Sequence, residues 1–271
     1  MADWRGDVST APAAGSPGDL GRTFRLWPVA LHFAWGDIRA RYRRSVLGPV
    51  WLVLGTVIGV VGLGSLWSTI FQLPFADYVP SLAMGLVTWQ FIAGTINESS
   101  LMLVRNAAIV RNLRTPVSFF SLQLLMRNVI MLAHNAIVVL VVLLVFQPDW
   151  SWSQWLFLPG VVLVAANLWW MSLLLGMLGA RFRDLDPLVT ATMPLLFFLS
   201  PVVFRADHLP VGAAVLWLNP LTYFIAVVRG PLQGQVPSAF VYAVVAGLLV
   251  GGWTLTVRVL RYRGARVAFW I

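Results

Sequence analysis

Apolar stretches close to 20 residues long, the length a helix needs to cross a bilayer, recur along this chain, and the polar segments between them collect its arginines. The pattern predicts membrane spans at residues 49–71, 79–104, 119–146, 155–180, 187–204 and 237–257. Six crossings put both termini on one side. Positive charge in short loops stays cytoplasmic, which fixes the side. One set of loops holds the seven arginines of the N-terminal region, then Arg105, Arg111 and Arg114, then Arg181 and Arg183, then Arg258, Arg261, Arg263 and Arg266. The opposite set holds only Arg205 and Arg229. Both termini are therefore expected in the cytoplasm of a multi-pass plasma-membrane protein.

The segments outside the spans have patterns of their own. In residues 27–42, Trp27, Leu31, Trp35, Ile38 and Tyr42 recur at spacings of three or four, while Asp37, Arg41 and Arg44 share another face. This is the pattern of an amphipathic helix lying on the cytoplasmic leaflet. Gly48 and Pro49 then turn the chain into the first span. Residues 105–116, RNAAIVRNLRTP, predict a short polar helix with arginines every three or four residues, projecting from the membrane for another protein to grip. Residues 209–230 are apolar throughout but broken at Asn219 and Pro220 into halves too short to cross. One continuous span there would put Arg258 to Arg266 outside, so a re-entrant helix pair on the periplasmic side is expected, tolerated beside a cavity or protein. Residues 1–25 are small, polar and rich in Gly and Pro, the composition of a disordered tail without a cleavable signal.

Composition narrows the chemistry. With 59% hydrophobic and 11% charged residues, the 271-residue chain belongs in lipid. It contains no cysteine, which excludes disulfides, thiolate metal sites and a cysteine nucleophile. Every one of its 19 basic residues is arginine. A phosphate-binding loop of the form GxxxxGK[ST] requires a lysine, so any ATPase driving this protein is another polypeptide.

Ionisable groups within spans are functional candidates. Glu98 is the only glutamate and lies near the cytoplasmic end of the second span, in reach of water or an arginine. Arg127 sits about two turns into the third span, where a long side chain can snorkel to the interface. His134 and Asn135 are deeper and are expected to make interhelical hydrogen bonds. These residues form neither a proton relay nor a metal site nor a hydrolase triad. The 35 aromatic residues, 14 Trp, 16 Phe and 5 Tyr, are the positive signal. Trp67, Trp150, Trp152 and Trp155 suit an interfacial belt. Trp89, Phe91, Trp169, Trp170, Phe197 and Phe198 lie deeper, where each ring either packs against lipid or, in a lumen, offers a flat face to the apolar side of a sugar; the neighbours Trp169 and Trp170 cannot both face a lumen.

The order of these features resembles the membrane subunit of ABC-type polysaccharide exporters, the group that handles O-antigen, capsular polysaccharide and teichoic acid. The resemblance runs from about Leu26 to Arg266. Its most specific piece is DIRARYRRSVLGPVW at 37–51, followed by GLVTWQFIAGTINES at 85–99, ARFRDL at 180–185, FFLSPVVF at 197–204 and LNPLTYFIAVVRGPL at 218–232.

The resemblance implies an all-α integral membrane protein of six transmembrane helices. One domain, 26–266, comprises an interface helix (26–45), a coupling helix (105–117) and periplasmic gate helices (209–231), with 1–25 a tail and 267–271 an end. It implies a homodimer bound to two copies of an ABC ATPase, which hold the ATP and magnesium while this chain binds no cofactor. Docking falls to Asp37, Arg41, Arg44, Arg105, Asn106, Arg111, Asn112 and Arg114. The channel would use Trp89, Phe91, Phe197, Phe198, Tyr223 and Phe224, and the gate Leu209, Pro210, Asn219, Pro220 and Arg229. The expected function is export of a lipid-linked polysaccharide, with an efflux permease for small lipids or drugs as the alternative within transport. A membrane glycosyltransferase lacks support, since Asp184 and Asp186 fall in a very short cytoplasmic turn, and the re-entrant segment speaks against a pure scaffold.

Overall fold

A computed structural model describes residues 18–43, 45, 48, 50–112, 115–146, 152–204 and 213–271, and the regular structure among them is entirely helical. The chain begins with α1 (Gly18–Arg25) and α2 (Trp27–Tyr42), then enters two long helices, α3 (Val50–Ile70) and α4 (Phe75–Ser99). Two short helices, α5 (Met102–Arg105) and α6 (Ala107–Asn112), lead into α7 (Val117–Phe146). A 3-10 turn (Trp152–Leu156) opens α8 (Phe157–Arg181), followed by α9 (Leu185–Phe198), α10 (Ala213–Leu218) and α11 (Pro220–Leu232). The last long helix, α12 (Ala239–Arg263), passes through a 3-10 turn (Gly264–Arg266) into α13 (Val267–Trp270).

Among the described residues, five helices are long and apolar enough to cross a membrane: α3, α4, α7, α8 with its 3-10 lead-in, and α12. The hub is α4, with 78% of its membrane-length stretch buried, against 22% for α3, α7 and α12. Two of its buried threonines are satisfied inside the helix: Thr88 donates to the Met84 carbonyl and Thr95 to the Phe91 carbonyl, each at 2.8 Å, which removes the cost of burying them. Around this hub α3 and α7 run antiparallel to it. Thr56 faces Gln90 near the start of α3 and Gly64 faces Val79 near its end, while Asn135 meets Gln90 and Phe146 meets Phe75.

By contrast, α8 and α12 run parallel. Asn167 reaches the Val245 carbonyl, Trp170 lies against Gly252, and Arg181 and Arg263 line one cavity at the far end. Close approach is achieved where a side chain is missing. A β-carbon at Gly179 would run into the Ser100 carbonyl, and one at Gly85 would lie 2.7 Å from the Val202 oxygen.

The predicted fifth span differs from what is observed. Helix α9 has 14 residues, holds Pro194 in its body and ends at Phe198, and residues 199–204 form turns. Even so, the stretch 186–203 runs along the whole of α4. The Ser100 hydroxyl donates to Asp186 at 2.6 Å at one end, Trp89 packs edge-on against Phe197 in the middle, and the Tyr78 hydroxyl donates to the Val203 carbonyl at the other end. From Tyr78 to Ser100, α4 rises about 33 Å at 1.5 Å per residue.

Three expectations at the polar ends are corrected. The tail does not stay unstructured to residue 25: α1 packs on α7, with the Thr23 and Ser118 hydroxyls 2.6 Å apart and Phe24 edge-on to Trp169 at 4.9 Å. On α2, Ile38 does not share a face with the exposed Trp27, Leu31 and Trp35; it is buried with Ala30 and Ala34 against α7. Residues 105–116 are not one helix, because Asn106 breaks α5 from α6 and its side-chain amide turns back to the Met102 carbonyl at 2.8 Å.

Candidate functional site

At the arginine-bearing end, a polar network ties the interface helix to the helical body. Arg127 of α7 donates to Glu98 of α4, and its other terminal nitrogen lies 3.5 Å from Asp37 of α2. Gln123, one turn before Arg127, donates to the same Asp37 oxygen at 2.9 Å, and Arg41 approaches Glu98 at 3.7 Å. Among the described residues, Arg127 is the guanidinium that bridges two carboxylates on two other helices. Asp37, one of the expected docking residues, takes part in this bridge with 38% of its side chain exposed. The signal was present in the sequence as Gln123 and Arg127 at a four-residue spacing, which puts both on one face of a helix.

The short helices next to this network have one anchored and one open face. Met102, Leu103 and Val110 are buried, with Met102 beneath Gly176 of α8. Arg105, Arg111 and Asn112 are exposed, and Asn106 is half-buried. Helix α6 touches the C-terminal helix α13. Arg44 and Arg114 lie outside the described residues.

Further along α3, α4 and α7, a cavity of about 450 Å³ is lined by Trp51, Thr56, Trp89, Gln90, Asn128 and Asn135 among others. The Asn135 amide donates to Gln90 at 3.0 Å, and the Thr56 hydroxyl lies 3.0 Å from Gln90 and 2.9 Å from Asn135, its one proton serving one acceptor at a time. The interhelical bonding expected of Asn135 is present, whereas His134 bonds the Ile130 carbonyl of its own helix. Neutral amides, a hydroxyl and indole rings can hold uncharged polar groups but offer no acid and base for bond making. Among the described residues, no group of three or more His, Asp or Glu side chains is placed to hold a metal.

The six aromatic candidates do not share one surface. Trp89 and Phe91 line the cavity just described, and Trp89 contacts Phe197 at 5.5 Å between ring centroids. Phe198 points outward, whereas Tyr223 is buried edge-on to Trp217 and Phe224 is enclosed in the core.

At the opposite end, the turn after α9 is held by three side chains. Asn219 caps α11 by accepting from the Leu221 amide at 3.0 Å, and its own amide donates to the Ser200 hydroxyl at 2.8 Å. Arg229, buried in α11, donates to the carbonyls of Pro201 and Phe204, the latter at 3.2 Å, and Tyr78 holds the Val203 carbonyl. A turn leaves backbone carbonyls without helical partners, and in a water-poor setting each needs a donor. This clamp explains why residues 199–204 can leave the helix while Ser200 to Val203 stay buried. Pro220 opens α11, where its missing amide proton costs nothing. Tyr78 was not singled out from the sequence, and Leu209 and Pro210 lie outside the described residues.

Five apolar helices of membrane length around a cleft lined by neutral amides and indole rings are the build of a multi-pass membrane protein. Residues 30–232 match the ABC-2 type transporter family, and the chain belongs to it. Subunits of this family are permeases and perform no catalysis, ATP hydrolysis being the work of a partner chain. The chain is similar to two proteins of Klebsiella pneumoniae named O-antigen export system permease protein RfbA. One is 24% identical over 92% of this chain and 97% of its own length, the other 25% identical over 76% and 80%. A protein of the same name from Myxococcus xanthus is 22% identical over 68% of this chain and 72% of its own.

Proposed function

We propose that this chain is the membrane subunit of an ATP-driven exporter that moves a lipid-linked polysaccharide, O-antigen or a similar surface glycan, across the bacterial inner membrane. The observation that carries the reading is similarity to permeases named for O-antigen export, in one case over 92% of this chain and 97% of the relative. The neutral, aromatic and amide-lined cleft agrees with it, since a sugar chain presents hydroxyls and apolar C–H faces and must not be trapped by strong charges.

In this reading two copies form the channel together with two ATPase subunits, which bind the ATP and magnesium. The apolar residues exposed on α3 and α9, such as Ile58, Val61, Leu188, Leu195 and Phe198, supply the face that lipid or the second copy covers. The stretch 186–203 makes the fifth of six crossings: it runs about 33 Å beside α4, slightly more than the hydrocarbon thickness of about 30 Å. The parallel course of α8 and α12 supports the same count, because the chain must return across the bilayer between them. Both termini are cytoplasmic, and the segment 209–231 caps the periplasmic end. Residues 26–266 make one transmembrane domain, with 26–45 and 105–117 on its cytoplasmic side.

Coupling is mechanical. Closure of the ATPase pair pushes on Arg105, Arg111 and Asn112, and the push passes to α8 through Met102 and to α2 through the Arg127 bridge. The clamp of Asn219, Arg229 and Tyr78 holds the outer turn until the interface shifts. A ligand or partner can bias the two states only by contacting them differently, so the contacts that change are the ones to test.

The decisive experiment deletes the gene and compares lipid-linked glycan in cytoplasmic and surface fractions. Glycan accumulating inside with loss from the surface is expected. Wild-type surface glycan would remove the export reading. If, in addition, small amphiphiles stimulated ATP hydrolysis by the purified complex, the efflux alternative would take its place.

A further inference from the structure

The corner formed by the ends of α8 and α12 and by α13, which α6 touches, carries two adjoining cavities. One, of about 490 Å³, is lined by Arg258, Val259, Tyr262, Arg263 and Arg266. The other, of about 320 Å³, is walled by Met177, Phe182, Val259 and Trp270, with Arg181 and Arg263 on its rim. Val259 and Arg263 belong to both, so a basic basin opens beside an apolar slot. Arg181 is held at the rim by two rings, 5.3 Å from the Phe182 centroid and 5.2 Å from that of Trp270. Such a contact orients a guanidinium without neutralising it. The ion pairs among the described residues all lie elsewhere, at Asp37, Arg41, Glu98 and Arg127. The nearest side-chain carboxylates in sequence, Asp184 and Asp186, follow Arg181, and Asp186 accepts from Ser100.

We propose that this corner is a binding site for an anionic phospholipid, with its phosphate among Arg258, Arg263 and Arg266 and one acyl chain in the slot beside Trp270. Guanidinium groups match phosphate oxygens two at a time. Basic pockets between membrane helices at the leaflet surface are the recurrent form of phospholipid headgroup recognition. The apolar slot beside the basic basin favours a lipid, whose acyl chain and phosphate are joined in one molecule at that spacing. The exposed Tyr262 and Phe269 put aromatic rings at the level where headgroups begin. Assignment to the cytoplasmic leaflet rests on the orientation proposed above; the lipid site itself does not depend on the exported substrate.

The test places the full chain with its ATPase in phosphatidylcholine nanodiscs containing a trace of lipid with a diazirine on the acyl chain, either phosphatidylglycerol or phosphatidylcholine. Adducts are mapped by peptide mass spectrometry. Phosphatidylglycerol should label the peptides around Met177–Phe182 and Val267–Trp270 at least about tenfold more than phosphatidylcholine. R258Q/R263Q/R266Q should abolish that preference, and the matching triple lysine variant should retain most of it. Leu178→Trp, which fills the slot without changing charge, should lower the same adducts in correctly assembled protein. Equal labelling by the two lipids, or a preference untouched by the glutamine variant, overturns the site. So does labelling that appears only when the ATPase is omitted, which would make the corner a protein interface. Excess inorganic phosphate should leave the adducts in place, and their loss would reduce the corner to a simple anion site.

Discussion

Arg127 of α7 binds Glu98 of α4 and, with its other terminal nitrogen, lies 3.5 Å from Asp37 of α2, so one side chain joins two long helices to the interface helix. Arg127 and Glu98 are only 19% and 24% exposed, so removing one partner leaves the other poorly solvated. Arg127→Met should destabilise the protein by about 2 kcal/mol, the cost of a broken buried pair discounted for partial exposure. The double variant with Glu98→Gln should lose less than the two single changes together, because the stranded charge is gone. Thermal unfolding in detergent measures both, and strictly additive losses would show that the bridge contributes nothing.

The bridge also shows what could and could not be read from the chain. That Glu98 sits where an arginine could reach it was legible, and so were five long apolar helices of membrane length, because apolar length and arginine placement are local properties. Which arginine it meets depends on how α4 and α7 pack, which no local pattern encodes. The same limit explains α9. Its apolar run suggests helix to Phe204, but Asn219, Arg229 and Tyr78 supply the donors that let the backbone leave the helix at Phe198. Those partners come from distant parts of the chain. Gly85 and Gly179 likewise look like ordinary glycines until Val202 and Ser100 are found against them.

Packing at Gly179 gives a second expectation. A methyl group there would strike the Ser100 carbonyl, which is backbone and cannot rotate away. Gly179→Ala should separate the ends of α4 and α8 and cost about 2 kcal/mol or more by overpacking. Gly247 on α12 has open space around its missing β-carbon, so Gly247→Ala should be neutral or stabilising by up to about 1 kcal/mol from helix propensity. The monodisperse yield after detergent extraction compares the two. Equal behaviour would mean that the α4 and α8 contact is loose.

The clamp on residues 199–204 can be examined with a single reporter, since the protein has no cysteine of its own. Val202 is fully buried behind Gly85, so a Val202→Cys probe should resist a membrane-impermeant maleimide. Adding Arg229→Met removes the donor to the Pro201 and Phe204 carbonyls and should raise labelling severalfold. Arg229→Lys should not fully restore protection, because one ammonium cannot reproduce the planar fork. Labelling that stays low in the methionine variant would assign the turn's stability to packing alone.

Docking can be probed without disturbing the membrane body. Arg111 is exposed on α6, while its neighbour Val110 is buried. Arg111→Glu should lower stimulation of the partner ATPase by roughly tenfold, the effect of placing a like or missing charge at a complementary contact, while membrane insertion is unchanged. Purified complex and a hydrolysis assay suffice. Undiminished stimulation would move the docking surface away from α6.

The course of residues 186–203 decides between five crossings and six. If they cross, Arg183 and Val236 lie on opposite sides of the membrane, since α8 ends just before the first and α12 begins just after the second. Both positions are exposed, so Arg183→Cys and Val236→Cys can each be labelled in an otherwise cysteine-free chain. An impermeant maleimide added to intact spheroplasts should mark Val236→Cys and should reach Arg183→Cys only after permeabilisation. Both marked from the same side would mean that α9 turns back within the membrane. The parallel packing of α8 and α12 would then require one of those two helices to be something other than a span. The 33 Å run beside α4 and the hydrogen bonds at its two ends argue for the crossing, and the two labels test it directly.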